Sequence, residues 1–262
     1  MSAAIAAGRR VLPRGYTDLL RQCLIWFAFW FAYQVVRGLA DHSGAKAFAN
    51  GLRVLDLEQK ATHRVFELSA QQIADSSQLL LTAAAWTYWN SEFTVIGLAL
   101  LWVYLRRHEA FSRFRNTILL ANVMGLIGYV LLPTAPPRMF PSFGFVDALD
   151  TMSGLNHGSG LVQLAANPYA AMPSLHAADA LIVGICLAGV VRNRIGKVLW
   201  LLWPVWVWFA VMATANHYWL DVLAGVAVAV FALWLEPRIS ARFRRRPNAD
   251  AEAEAAPIAN LL

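Results

Sequence analysis

Cysteine and charge are both scarce in this chain, and each scarcity excludes something. Cys23 and Cys186 are the two cysteines in 262 residues; they cannot build a disulfide framework or a cysteine metal cluster, and they read as small hydrophobes inside apolar segments. Charged residues make up 15% of the chain and hydrophobic residues 58%, a balance that fits neither a disordered chain nor an ordinary soluble domain. Internal repeats, an HExxH pattern and a soluble basic domain are also missing. The net charge of +6 is divided among separate short stretches, which excludes a nucleic-acid-binding face.

What the chain has instead is a series of apolar runs near the ~20 residues that cross a bilayer as helix. We expect an all-α integral membrane protein, a six-transmembrane-helix bundle with spans near 19–40, 79–105, 116–132, 175–191, 198–214 and 218–235. Asn90, Ser91 and Glu92 interrupt the second run, so residues 79–89 read either as part of that span or as an interfacial piece leading into a shorter one.

Basic residues orient such a bundle, because short cytoplasmic loops collect Lys and Arg. Arg9, Arg10 and Arg14 precede the first run, Arg106, Arg107, Arg113 and Arg115 separate the second from the third, Arg192, Arg194 and Lys197 lie between the fourth and fifth, and Arg238, Arg242 and Arg244–Arg246 follow the sixth. All four clusters fall on one side of a six-span chain. The long connection 133–174 on the other side has a single basic residue, Arg138. We therefore expect a multi-pass protein of the cell membrane with both termini cytoplasmic and the 133–174 loop outside, and the positive charge attracted to anionic headgroups.

The remaining segments suggest one domain with appendages. Residues 1–18 form a cytoplasmic leader, and 19–246 the six-span catalytic domain; the first run is too long for a signal-peptide core and reads as a retained anchor. Residues 41–78 mix Leu52, Leu55, Val65, Phe66 and Leu68 with Lys46, Arg53, Asp56, Glu58, Lys60, Arg64 and Glu67, the pattern of amphipathic helices lying on the outer membrane face. The Ala- and Glu-rich stretch 247–262 reads as a disordered cytoplasmic tail.

Two short motifs put catalytic residue types at the ends of apolar helices, where an ionisable side chain marks a functional site by default. The first is Met172-Pro173-Ser174-Leu175-His176 and the second Asn216-His217-Tyr218-Trp219-Leu220-Asp221. Pro173 and Ser174 make a good helix opening, with Ser174 as N-cap and free N–H groups that attract anions. His217 and Asp221 share one face of the sixth run. Arg138 lies just past the third run, so segments distant in sequence deliver Arg, His, His and Asp to one membrane surface.

That collection suits phosphoryl transfer through a phosphohistidine. One His attacks phosphorus, a carboxylate fixes its tautomer, a second His protonates the departing oxygen, and Arg with helix N-termini stabilises the equatorial oxygens. From the residues alone two other readings stay open: a zinc site of His176, His217 and Asp221, and a proton-coupled transporter using the same groups as a relay. Other candidate substrate-binding residues are Ser174, Asn216, Tyr218, Glu92 and Asp179, the last one turn beyond His176 and able to hold that imidazole or to contact another span.

At these motifs the chain resembles the type-2 phosphatidic acid phosphatase superfamily, and within it the branch that contains inositol phosphorylceramide synthase. Pro173-Ser174-Leu175-His176 matches the superfamily's Pro-Ser-Gly-His with the Leu of that branch, and His217 through Asp221, followed by Val222-Leu223-Ala224-Gly225, matches its last motif. The resemblance implies His217 as nucleophile, Asp221 as its orienter, His176 as general acid and no metal cofactor. The departures are specific: Ala210 and Val211 stand where the phosphatases have Ser and Arg, and Arg138 is followed by Met139. A site with one evident Arg suits a singly charged phosphodiester better than a phosphomonoester carrying about two charges. We expect a phosphotransferase that moves a phosphoryl headgroup from a phospholipid to an alcohol acceptor, with a phosphatase that uses water on lipid phosphates or polyprenyl diphosphates as the alternative. The partners are the lipid substrate and the membrane; a homo-oligomer is left open.

Overall fold

The computed structural model describes residues 12–40, 44–149 and 168–259. In chain order the helices are α1 (Gly15–Ala40), α2 (Gly44–Thr62), α3 (Phe66–Asp75), α4 (Gln78–Asn90), a π-helical turn (Ser91–Val95), α5 (Ile96–Arg106), α6 (His108–Leu131), α7 (Leu175–Val190), α8 (Arg194–Ala213) and α9 (Trp219–Ala259). Among the described residues, extended pairing is confined to one isolated parallel bridge, Thr134 to Ala170. The all-helical class is as expected.

His108–Leu131, Arg194–Ala213 and Trp219–Arg242 are long and apolar enough to cross a membrane, and Leu175–Val190 is a shorter apolar helix. Leu199, Leu202 and Val205 of α8 are all more than half exposed, an apolar surface suited to lipid rather than water. The run at 79–105 is one helical path, α4 through α5, whose register slips at the π-helical turn. Such an inserted residue turns a side chain to a new direction and often sits at a functional site; here the turn contains Glu92.

The central seam joins α6, α7 and α9, where Ile118, Leu126, Leu175, Ile182, Ala229 and Ala232 are buried together. Helices in an apolar solvent associate through close packing, which small residues permit. Two glycines do this around the first motif. A Cβ on Gly225 of α9 would lie 2.2 Å from the Ser174 carbonyl oxygen, and one on Gly125 of α6 would lie 2.4 Å from a Leu175 methyl. The Leu at the motif's third position thus fits because α6 offers it a glycine.

Hydrogen bonds collect the basic clusters at one end. Arg107 Nε donates to the Val190 carbonyl at 3.2 Å, joining the α5–α6 turn to the α7–α8 turn, and Asn116 Nδ2 donates to Glu236 Oε1 at 3.2 Å. The opposite end carries both His motifs, covered by α2, α3 and the 133–149 loop. Asn50 Nδ2 donates to the Pro133 carbonyl at 2.8 Å, the Ala135 N–H to the Ala47 carbonyl at 3.0 Å, and Gln71 Nε2 to the Val146 carbonyl at 2.6 Å.

Within the charged and apolar mixture of 41–78, Glu58 and Glu67 are both fully buried. Glu58 continues the stripe Ala47, Gly51, Val54, Leu55 that α2 turns inward. The α9 backbone is helical through Ala259, in keeping with the high helix propensity of Ala and Glu.

Candidate active site

His217 sits in the connection between α8 and α9. That connection contains Ala215 at φ +54°, a left-handed conformation that costs a non-glycine residue on the order of 1 kcal/mol. The turn is held by the N–H groups of Asn216 and His217, which donate to the Val211 carbonyl at 3.0 and 3.1 Å. The His217 ring is buried, with Nδ1 2.9 Å from the Ala171 carbonyl and 3.5 Å from Asp221 Oδ2. A carbonyl can only accept, so the proton is on Nδ1 and the Nε2 lone pair is free. Burial lowers the pKa of this imidazole to about 3; the Ala171 bond opposes that shift and the Arg138 charge adds to it.

Nε2 of His217 faces Nδ1 of His176 at 3.4 Å. His176 occupies the first turn of α7, whose start is capped by Ser174: its Oγ accepts the Ala177 N–H at 3.3 Å, and its own N–H donates to the Asp221 carbonyl at 3.0 Å. That last bond ties the two motifs together directly. The far side of the His176 ring, Nε2, is 3.4 Å from Glu92 Oε2, and the ring stacks on Tyr88 with centroids 4.5 Å apart. A line therefore runs from Glu92 through His176 to His217, across three separate segments of chain.

The other predicted site residues divide into neighbours of this line and supports. Asp221 is fully buried, and its Oδ2 accepts the Tyr218 N–H at 3.0 Å; with the Ala171 carbonyl nearer to Nδ1, it shares the orientation of His217 rather than supplying it alone. Arg138 Nη1 donates to Asn216 Oδ1 at 2.6 Å, its Nε is 3.4 Å from Asp147 Oδ2, and its N–H donates to the Ala215 carbonyl at 2.8 Å. Asn216 Nδ2 donates to the Thr214 carbonyl and hydroxyl, so its amide is fully engaged in support. Tyr218 is a buried strut whose hydroxyl donates to the Ala135 carbonyl at 2.9 Å. Asp179 does not hold His176: Asn122 Nδ2 of α6 lies 3.0 Å from each of its carboxylate oxygens. It lines instead, with Glu92, Asn122, Trp26 and Trp30, a small cleft beside α1.

Sequence reasoning missed four contributors. The Ala171 carbonyl has no sequence signature, and Tyr88 looks like any interfacial aromatic. Asn122 could have been suspected as a polar residue in an apolar run. Glu58 was more legible, because it falls in register with the apolar stripe of α2. Among the described residues, no three His, Cys, Asp or Glu side chains converge in a geometry that could hold a metal ion.

The architecture is a helical membrane bundle with a buried His–His pair at one end, backed by carboxylates and an Arg. Comparison with known families matches residues 53–235 to the PAP2 superfamily. The chain belongs to that superfamily. A phosphoinositol dihydroceramide synthase of Bacteroides thetaiotaomicron is 28% identical over 159 residues, covering 54% of this chain and 49% of that protein; the chain spans about half the length of the curated relative it matches. No solved structure matches the chain.

Proposed function

We propose that the protein is an enzyme of lipid phosphate esters, a membrane-embedded phosphotransferase that passes a phosphoryl-headgroup from a phospholipid to an alcohol through a phosphohistidine on His217. One observation carries this reading. The Nε2 lone pair of a neutral His217, its Nδ1 proton engaged behind it, points at a second histidine 3.4 Å away. In the first half-reaction Nε2 forms a bond to phosphorus and the bond from phosphorus to the lipid alcohol oxygen breaks, that oxygen taking a proton from His176. In the second, the acceptor hydroxyl gives its proton to His176 and attacks phosphorus, and the P–N bond breaks. Asp221, with the Ala171 carbonyl, stabilises the imidazolium that forms, and Arg138 neutralises charge on the non-bridging oxygens. Glu92 accepts or returns a proton at the outer nitrogen of His176.

Transfer is favoured over hydrolysis by the weak cationic clamp. Arg138 shares its charge with Asp147, and the phosphatase positions for Ser and Arg are Ala210 and Val211, both fully buried and apolar. The relative named as a synthase points the same way. We further propose six spans, with the basic ends cytoplasmic and the His pair outside. The test is exchange: purified protein in detergent, given a labelled phospholipid diester and a matched monoester, with and without a polyol acceptor. A new phosphodiester that depends on the acceptor supports the transferase. Inorganic phosphate from the monoester, with no exchange product, supports the phosphatase.

A further inference from the structure

The first turn of α9, which carries Asp221 and follows His217 directly, is capped from outside its own sequence. The Leu220 N–H donates to Glu58 Oε1 at 2.9 Å and the Trp219 N–H to Glu67 Oε1 at 2.5 Å, while the Tyr218 N–H goes to Asp221 Oδ2 at 3.0 Å. A helix start ordinarily meets its orphan N–H groups with one local Ser, Thr, Asp or Asn. Here two acceptors come from residues 162 and 152 positions upstream, on α2 and α3, which are covalently remote from the site. Both carboxylates are fully buried, and their second oxygens, Glu58 Oε2 and Glu67 Oε2, have no hydrogen-bond partner.

Those orphan oxygens are costly. A buried carboxylate oxygen without a partner loses its hydration with nothing in return, and among the described residues no Lys or Arg forms an ion pair with either glutamate. Helix packing alone would place apolar side chains here, as it does at Val54 and Leu55 on the same stripe of α2. The acids stand where they accept the N–H groups of Trp219 and Leu220, within the His217–Asp221 turn.

We propose that Glu58 and Glu67 are positioning residues of the reaction: through them the α2–α3 unit clasps the start of α9 and holds His217 and Asp221 at their working distances. The clasp rests on the reading of His217 and Asp221 as the reacting pair. It acts through them, since neither glutamate touches the His pair.

The two carboxyl groups also act on each other's ionisation. Asp221 and the Tyr218 hydroxyl face them from the start of α9, and Arg138, from the loop, is committed to Asp147 and Asn216. With carboxylates as the facing charges, ionisation of both acids is resisted. Burial, then the Glu67 charge, raises the Glu58 pKa from 4.5 to about 9, and burial raises that of Glu67 as well. A raised carboxylate binds its proton in the folded state and releases it in the unfolded one, so its contribution to stability is complete below about 4.5 and is lost as pH rises toward about 9.

The test uses Glu58→Gln, Glu67→Gln and the corresponding Ala variants of the full chain in detergent. Gln keeps the accepting oxygen and removes the ionisation. We expect each Ala variant to lose kcat about 10²-fold with KM within a few-fold, since a misplacement near 1 Å costs that much. Amide exchange in the peptide spanning 217–222 should rise. Each Gln variant should recover most of the turnover, and Glu58→Gln should flatten the fall of Tm between pH 5 and 9. Ala variants that exchange like wild type and turn over normally overturn the clasp. So do Gln variants no better than Ala, or a Tm–pH curve that Glu58→Gln leaves unchanged. If an Ala variant fails to fold, Gln rescue and the Tm–pH curve still decide. Absence of a phosphoryl adduct on wild-type His217 would strike the functional reading instead, and would leave the exchange result standing.

Discussion

Gly225→Ala tests whether the α7–α9 contact sets the geometry of the His pair. The added Cβ would lie 2.2 Å from the Ser174 carbonyl oxygen and 3.1 Å from its carbonyl carbon. Ordinary contact begins near 3.4 Å, so α9 and the Ser174 backbone must separate by about 1.2 Å, and the atoms to be moved are main chain rather than a flexible side-chain end. The neighbouring Ser174 N–H to Asp221 carbonyl bond, now 3.0 Å, lies in the path of that separation. His176 moves with one partner and His217 with the other. A misplacement of about 1 Å costs on the order of 10²-fold in rate, and overpacking costs roughly 1–3 kcal/mol. The control is Gly189→Ala, at the far end of α7, where a Cβ meets nothing within 4 Å; it should be neutral or stabilise the helix by about 0.5–1 kcal/mol. The assay is kcat on a phospholipid diester beside Tm in the same detergent. Wild-type turnover in folded Gly225→Ala would refute the reasoning.

Three further outcomes are expected. ¹⁵N-histidine NMR should show His217 neutral with its proton on Nδ1 from pH 8 down to 5, because its pKa is near 3 and protonation sets in only as pH falls toward that value; titration near 6.5 would contradict the buried geometry. Asp221→Asn should lower kcat about 10³-fold, short of the ~10⁴-fold loss seen where an Asp alone fixes the tautomer, because the Ala171 carbonyl continues to hold the Nδ1 proton; a loss matching full removal of His217 would show that Asp221 alone orients the ring. A Cys at Ser142 should react with an impermeant thiol reagent from outside intact cells and one at Asn193 should not, the reverse pattern overturning the sidedness; Ser159, in the same outer loop by sequence, lies outside the described residues.

The helices and the His pair were legible in the sequence because their signals are local. Apolar runs, the Pro-Ser opening of α7, and the four-residue spacing of His217 and Asp221 each report their own structure. The supports were not legible, since they depend on which segments meet in space. Asp179 lies one turn from His176, as its spacing requires, yet bonds to Asn122 of α6. Glu58 and Glu67 carry no residue-type signal of burial, although the apolar stripe of α2 runs directly to Glu58. Burial of a polar residue is a tertiary fact, and periodicity reports it only when the stripe is followed to its end.

The central claim is that His217 carries the phosphoryl group, and the most direct measurement is mass spectrometry of the peptide containing His217 after acid-free quenching during turnover on a phospholipid diester without acceptor. The account predicts an adduct whose added mass is the phosphoryl-headgroup, on His217 alone, formed in the presence of EDTA, absent in His217→Ala and discharged by adding a polyol. Turnover with no adduct on His217, abolished by EDTA and restored by zinc, would contradict it.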